Sequence, residues 1–475
     1  MSNPSLIHRS NNNSSLYQTI KARNSKQNAF DYAVNGEKNI CPVARSKIIV
    51  NPTTSMNATA QQVVKFQLPN HGILNDLYLQ TKFISAQDTN DATGGANDGA
   101  LVEFAGAFAT TQIRLVYNGA TCWECSPEWI MCDAYTKANQ EKASQLDAML
   151  GGGILGAAND TLASVTGRRL VFSCAGGITL SCPLKGFWSD GLGRGLDLYS
   201  LSSPMFLEVS YRSNSECHEI LDTAAKAADF SDAQLVAYVS ELAPEELAAF
   251  QSRNYSPGSV SSQLGFTTTK FEESITSPVL ITGGSTLGNK VKIQSISGLV
   301  RRLYVFATLD SDRSSATAKK YMNTVPLARC ALKANNQTIY EFENSSLFDA
   351  EHISTSNGYK TDSVVEMYHN NLPYACHPHA TPGTIEADLG ISANAGGSFD
   401  PSHIQCFNFG FNPDDHSSAD GSLSFSQLGN PELEVMFNTS ASTNNHTLHI
   451  IAETLTINTY STSSTGSINF RSITE

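Results

Sequence analysis

Apolar and polar residues alternate with period two along many short stretches of this chain. That is the pattern of β-strands with one wet face, because successive side chains leave a strand on opposite sides. Residues 205–211 (MFLEVSY) alternate without a break, and 77–84 (LYLQTKFI) puts Leu77, Leu79, Thr81 and Phe83 on one face. Further strands are predicted at 47–50, 63–68, the end of 104–117 (IRLVY), 168–173, 177–184, 196–201 and 235–242. After a linker-like stretch at 255–262 they recur at 267–271, 290–296, 303–309, 329–334, 338–342, 406–411, 422–428, 433–437 and 447–457. In 406–411 the alternation of Phe407, Phe409 and Phe411 predicts a half-buried strand.

Turn chemistry punctuates the strands: Pro69-Asn70-His71-Gly72, Asn118-Gly119, Asn335-Asn336, Asn412-Pro413-Asp414-Asp415 and Asp420-Gly421. Two segments have helical character. One is 124–151, which lacks the alternation and stops at a triple glycine; the other is 243–250, with Pro244 in its first turn. Each half thus holds about eight strands and one or two helices, with no sequence repeat between the halves. The expected fold class is all-β, as two tandem domains at 45–258 and 259–475 behind an N-terminal arm at 1–44.

Composition sharpens this picture. A chain of 475 residues suits two cores of roughly 200 residues each. Only 16% of residues are charged and 33 are glycine, as suits a turn-rich β protein. No run of about 18 apolar residues occurs, so no transmembrane helix is expected. The first residues lack the apolar centre of a secretory signal, so the ten cysteines are expected as buried thiols rather than a disulfide framework.

The net charge of −13 argues against a dedicated nucleic-acid binder. It is unevenly spread: within residues 1–48, Arg9, Lys21, Arg23, Lys26, Lys38, Arg45 and Lys47 face only Asp31 and Glu37. That balance of +5 leaves −18 on the remainder.

Candidate chemistry is sparse. Cys122-Trp123-Glu124-Cys125 has no second pair to complete a four-ligand zinc site, and Cys132 stands alone beyond it. Cys376-His377-Pro378-His379 is too short and too constrained by Pro378 to aim three ligands at one ion, even with Asp349, Glu351 and His352 nearby in sequence. Glu245-Glu246 and Asp414-Asp415 are sequence neighbours and do not face one another as acid–base pairs must. The glycine-rich 191–195 leads into no helix that could hold a phosphate. The N-x-S/T sequons at Asn57, Asn159, Asn336, Asn344, Asn438 and Asn445 are what chance gives in such a composition. No catalytic, cofactor or metal residue is expected, and the chain reads as a non-enzyme.

Four collinear segments resemble one family. Residues 406–437 (CFNFGFNPDDHSSADGSLSFSQLGNPELEVMF) are similar to the C-terminal signature of double jelly-roll major capsid proteins of double-stranded DNA viruses. These include the nucleo-cytoplasmic large DNA viruses, polinton-like viruses and virophages. There an aromatic strand, Y-x-F-x-L-x-P, leads into a loop and then P-S-G-x-x-N-F-S-R-x-D. Phe409, Phe411, Pro413, Gly421, Phe425 and Ser426 match, whereas Ala419, Asp420, Ser424, Gln427 and Gly429 depart.

Residues 182–213 follow the family order P-L-x-F-W-F, loop, L-P-L-x-A-L, alternating strand. Residues 112–119 with Glu128-Trp129-Ile130, and 235–250, supply the other two resemblances. The resemblance implies two tandem eight-stranded jelly rolls with short helices. It further implies a homotrimeric, pseudo-hexagonal capsomer tiling an icosahedral virion shell. Its partners would be its own copies, neighbouring capsomers, penton and minor capsid proteins, and the genome or an internal membrane through the basic arm. The alternatives are a carbohydrate-binding or carbohydrate-active β-sandwich, for which three tryptophans and no paired carboxylates are poor material, and a minor capsid or spike component.

Overall fold

The computed structural model describes residues 43–57, 60–85, 100–136, 145–146, 148–151, 170–171, 178–189, 195–219, 228–244, 247–248, 251, 260–276, 288–314, 319–325, 327–343, 404–410, 421–437, 445–463 and 468–474.

The first half contributes eight principal strands. These are β1 (Val43–Val50), β2 (Gln62–Gln67), β3 (Ile73–Ser85), β4 (Thr110–Tyr117), β5 (Ala120–Cys125), β6 (Ile178–Leu184), β7 (Met205–Tyr211) and β8 (Ala228–Leu242). They form two antiparallel sheets, in the orders β1-β8-β3-β6 and β2-β7-β4-β5. Strands that pair first with eighth, second with seventh, third with sixth and fourth with fifth are the mark of a jelly roll. The inner faces of the two sheets share one core; in it Val64, Phe66, Leu79, Phe83, Leu115, Leu207 and Val209 are fully buried. Thr81 and Tyr211 join the sheets through their hydroxyls at 3.2 Å.

The second half repeats the scheme with β9 (Val260–Ile275), β10 (Asn289–Lys292), β11 (Leu299–Leu309), β12 (Leu327–Ala334), β13 (Gln337–Glu343), β14 (Gln405–Asn408), β15 (Glu432–Phe437) and β16 (His446–Thr462). The sheets are β9-β16-β11-β14 and β10-β15-β12-β13, with β17 (Ile468–Thr474) added beside the end of β16. A second core of Ile293, Val300, Leu303, Val305, Leu332, Phe407, Leu433, Val435 and Ile450 lies between them. The fold is therefore a double jelly roll.

Local sequence explains the corners. Asn118-Gly119 and Asn335-Asn336 all have positive φ, as a two-residue hairpin turn requires. Gly72 has φ +87°, and a Cβ there would lie 2.8 Å from Val239 Cβ, so the turn into β3 admits only glycine without strain.

Several expectations need correction. The helix expected from residue 124 starts at Pro127: α1 (Pro127–Thr136) follows β5, whose last residues are Glu124 and Cys125. Residues 422–428 are only briefly strand, at Leu423–Ser424, and then wind into a 3-10 turn at Phe425–Gln427. There Gly298 N donates to Ser426 Oγ at 2.9 Å, and Phe425 N donates to Gly298 O. The strand expected at 406–411 ends at Asn408, and its residues Gln405, Cys406 and Phe407 are all buried rather than alternating. Ile468–Thr474 is a strand that pattern reasoning passed over. The arm's last two residues, Val43 and Ala44, belong to β1, and Val260–Ser262 of the expected linker already form β9.

Candidate functional site: the contact between the two barrels

Strand β11 reads LVRRLYVFATL and is buried on both faces. Val300, Leu303, Val305 and Ala307 point into the second core, whereas Tyr304 and Phe306 belong to the first. A register shift against β16 between Val300 and Arg302 accounts for the two arginines. A bulge puts two consecutive side chains on one side of a strand. Arg301 and Arg302 thus both leave the second core and face the first barrel.

Each arginine meets a carboxylate at this contact, Arg301 one on its own barrel and Arg302 one on the first. Glu453 on β16 accepts Arg301 Nη2 at 2.8 Å and Nε at 3.1 Å through Oε2, while its Oε1 accepts Trp129 Nε1 of α1 at 3.0 Å. Arg301 also lies over the Phe266 ring, 4.7 Å from its centroid, and Phe266 packs against Trp129. Arg302 Nη1 is 3.8 Å from Asp133 Oδ1 of α1 and donates to Tyr304 Oη at 3.4 Å. Paired in this way, the charges avoid the several kcal/mol that an isolated buried ion costs.

A second group lies on β9 and β16. Lys270 Nζ is 2.8 Å from both Glu128 Oε1 and Glu272 Oε1. Glu272 Oε1 also meets His449 Nδ1 at 3.0 Å and Arg313 Nη2 at 3.3 Å. The other ring nitrogen of His449 is 2.8 Å from Thr308 Oγ1, and its ring stacks on Phe306. Burial alone would raise the Glu128 carboxyl, but the charges of Lys270 and His449 and the hydrogen bonds it accepts together hold it below the usual range. Glu272 is likewise held low against burial, by His449 and Lys270. Burial lowers the His449 imidazole below its ordinary value although Glu272 opposes this. The neighbouring β5 adds main-chain contacts: Glu124 N donates to Thr267 Oγ1 at 3.1 Å and Thr268 Oγ1 donates to Glu124 O at 2.7 Å. The arrangement ties the two barrels together through Glu128–Lys270, Asp133–Arg302 and Trp129–Glu453.

The residues singled out from sequence fall elsewhere or serve packing. Cys122 and Cys125 are buried on β5 and Cys132 on α1; burial pushes the Cys122 thiol up to about 11 and raises the other two. Phe425 is buried in the second core beside Phe409. Trp123, Trp129 and Trp188 form one buried edge-to-face cluster, which leaves no tryptophan for a sugar platform. Gly195 packs on Ile73, and the sequon residues Asn57, Asn336 and Asn445 are exposed. Residues 376–379, Asp349, Glu351, His352, Glu245, Glu246, Asp414, Asp415, 191–194, Phe411, Pro413, Asn159, Asn344 and Asn438 lie outside the described residues. Sequence reasoning missed the clamp itself. Its one visible signal was charge inside apolar strands, Arg301-Arg302 before LYVFATL and Glu453 within HIIAETL, since such charges must find partners.

No family model matches the sequence, and no curated protein matches it by sequence. Solved structures do match. PBCV-1 VP54, fitted into a cryo-EM reconstruction of the virophage Sputnik, superposes with a TM-score of 0.61 at 12% identity, over 91% of this chain and 98% of that one. The fold is that of double jelly-roll viral major capsid proteins. The Faustovirus major capsid protein gives a TM-score of 0.56 at 11% identity, over 89% of this chain and 91% of that one. The mavirus major capsid protein gives 0.50 at 12% identity, over 93% and 94%. The double jelly roll expected from the four collinear segments is thus present along nearly the whole chain.

Proposed function

We propose that this protein is the structural major capsid protein of a double-stranded DNA virus. It forms pseudo-hexagonal homotrimeric capsomers that tile an icosahedral shell, and it resides in the virion. The observation that carries this is the pair of jelly rolls clamped by buried ion pairs. A block of two similar barrels repeated three times supplies six barrels to one capsomer. The likeness in fold to major capsid proteins supports the same reading, as does the burial of all three tryptophans, which disfavours a carbohydrate-binding sandwich.

In this reading the domains divide near the expected 1–44, 45–258 and 259–475, with Val43 and Ala44 counted in the first barrel, and the chain works without catalysis, cofactor or metal. The basic arm, with Arg9, Lys21, Arg23, Lys26 and Lys38 against Asp31 and Glu37, carries +3 against −16 on the rest and faces the particle interior and the genome or a membrane. Penton and minor capsid proteins complete the shell. Light scattering tests the core of the proposal: the expected mass is three times 51.1 kDa, with pseudo-hexagonal particles in negative stain. A monomer at micromolar concentration overturns it. Deleting residues 1–40 should leave trimers intact and impair genome-filled assembly.

A further inference from the structure

A cavity of about 200 Å³ opens at the end of the first barrel, where the β2–β3 turn meets the segment that leads into β7. Leu198, Leu201, Pro69 and Met205 give it apolar walls, and Gln67 and Asn70 stand exposed at its rim. Main-chain bonds fix the wall: Leu198 N donates to Gly72 O and Ser202 N to Ile468 O, each at 3.0 Å. A pocket for a whole small ligand measures roughly 300–1,000 Å³, whereas this one has room for one large side chain.

The chain enters β1 beside this cavity. Val43 pairs with Leu242, whose N–H donates to Tyr199 Oη at 3.2 Å, and Tyr199 is two positions from Leu201 in the cavity wall. Residues 1–42 precede Val43 and lie outside the described residues. Within them 29–34 (AFDYAV) alternates, so that Phe30, Tyr32 and Val34 share one side of an extended segment, and Asn35-Gly36 supplies a turn before β1. Eleven residues separate Tyr32 from Val43. They span up to roughly 36 Å, enough to bring Tyr32 back to the cavity. Of the aromatic residues before β1, Tyr32 is the nearest in sequence, so its loop closes at the smallest entropic cost. A tyrosine also suits apolar walls with a polar rim, since its ring and its hydroxyl call for those two surroundings.

We infer that the N-terminal arm folds back on its own barrel, with Tyr32 in this cavity and Phe30 and Val34 over its mouth. The occupant is residues 29–34 of the same chain. A tether this short holds the segment near its site at an effective concentration of the order of mM, so the burial of a single aromatic anchor is enough to dock it. Anchoring at Tyr32 leaves residues 1–28 beyond the anchor, with Arg9, Lys21, Arg23 and Lys26 and no carboxylate, while Asp31 and Glu37 stay at the barrel. The anchor thus separates a purely cationic reach from the acidic body. The inference goes beyond the capsid reading and holds for a monomer as for a trimer.

Hydrogen exchange of the full-length protein, read by mass spectrometry, tests this. The amides of residues 29–34 are expected to show a protection factor of about ten or more. Tyr32→Ala, which removes the anchor, and Ser203→Trp, which fills the cavity from its lining, should each abolish that protection while peptides from β4 and β8 exchange as before. A protection factor near one at 29–34 in the wild type overturns the inference, as does protection that survives either variant. Tyr32→p-benzoylphenylalanine, irradiated and digested, is expected to link to the 198–205 peptide within one chain. A link to that peptide that migrates as a dimer on a denaturing gel makes the occupant a second copy and overturns the own-chain assignment.

Discussion

Replacing Glu453 by alanine tests whether the inter-barrel clamp is as dry as its geometry implies. The Glu453 side chain is fully buried and that of Arg301 is 6% exposed, so the variant leaves a guanidinium facing protein without its carboxylate. Breaking a buried pair from one side costs about 3–5 kcal/mol. The lost acceptor for Trp129 Nε1 adds to this, and the two losses overlap because they share one side chain. The midpoint in urea should fall accordingly, by an amount comparable with much of a domain's stability.

Tryptophan fluorescence is the natural probe, because all three tryptophans of the chain sit in the cluster that contacts Glu453 through Trp129. The double variant Arg301→Met with Glu453→Gln removes both charges and keeps an acceptor for Trp129. It should recover at least half of the loss, since a neutral pair carries no desolvation penalty. A cost below about 1 kcal/mol for Glu453→Ala would mean that water reaches the pair, and the clamp would then contribute little.

Three further outcomes follow from the geometry. Gly72→Ala should destabilise the first barrel by about 2–4 kcal/mol in chemical denaturation, through its positive φ and the contact with Val239; a change below about 0.5 kcal/mol refutes this. Burial pushes Cys122 up to about 11 and Cys182 up to about 12, so peptide mapping after iodoacetamide at about pH 8 should find both unlabelled until denaturant is added; rapid labelling of the native protein counts against their burial. His449 is held below its ordinary value, so the unfolded chain takes up the proton first and stability falls as pH drops through about 6.5; Glu272, also held low, adds a loss as pH falls through about 4.3. His449→Gln should flatten the decline in melting temperature between about pH 7 and 5, and an unchanged slope shows that His449 does not drive it.

How much was legible depended on how many faces of a strand meet protein. In β7, MFLEVSY alternates in sequence and alternates in burial, because one face meets the core and the other is wetter. The hairpin turns at Asn118-Gly119 and Asn335-Asn336 were equally readable, since few residues tolerate positive φ. Most of the strands, their recurrence in two halves and the collinear capsid-like segments were present in the one-dimensional pattern, whereas Ala120–Cys125 and Ile468–Thr474 were not read as strands.

The pattern failed in the sheet that lies between two cores. Cys406 faces the first core and Phe407 the second, so the half-buried strand expected at 406–411 is buried on both sides. The strand expected at 303–309 begins already at Leu299, with Arg301-Arg302 at a bulge inside β11. Trp129 and Glu453 are 324 positions apart, and no local periodicity links them. Alternation along a strand reports which residues are apolar, and through that which barrel each strand builds. Which barrel lies against which, and which buried charges answer one another across the contact, was decided only when the two barrels packed, because a charge is tolerated inside protein only where the fold brings its counter-charge within a few ångströms.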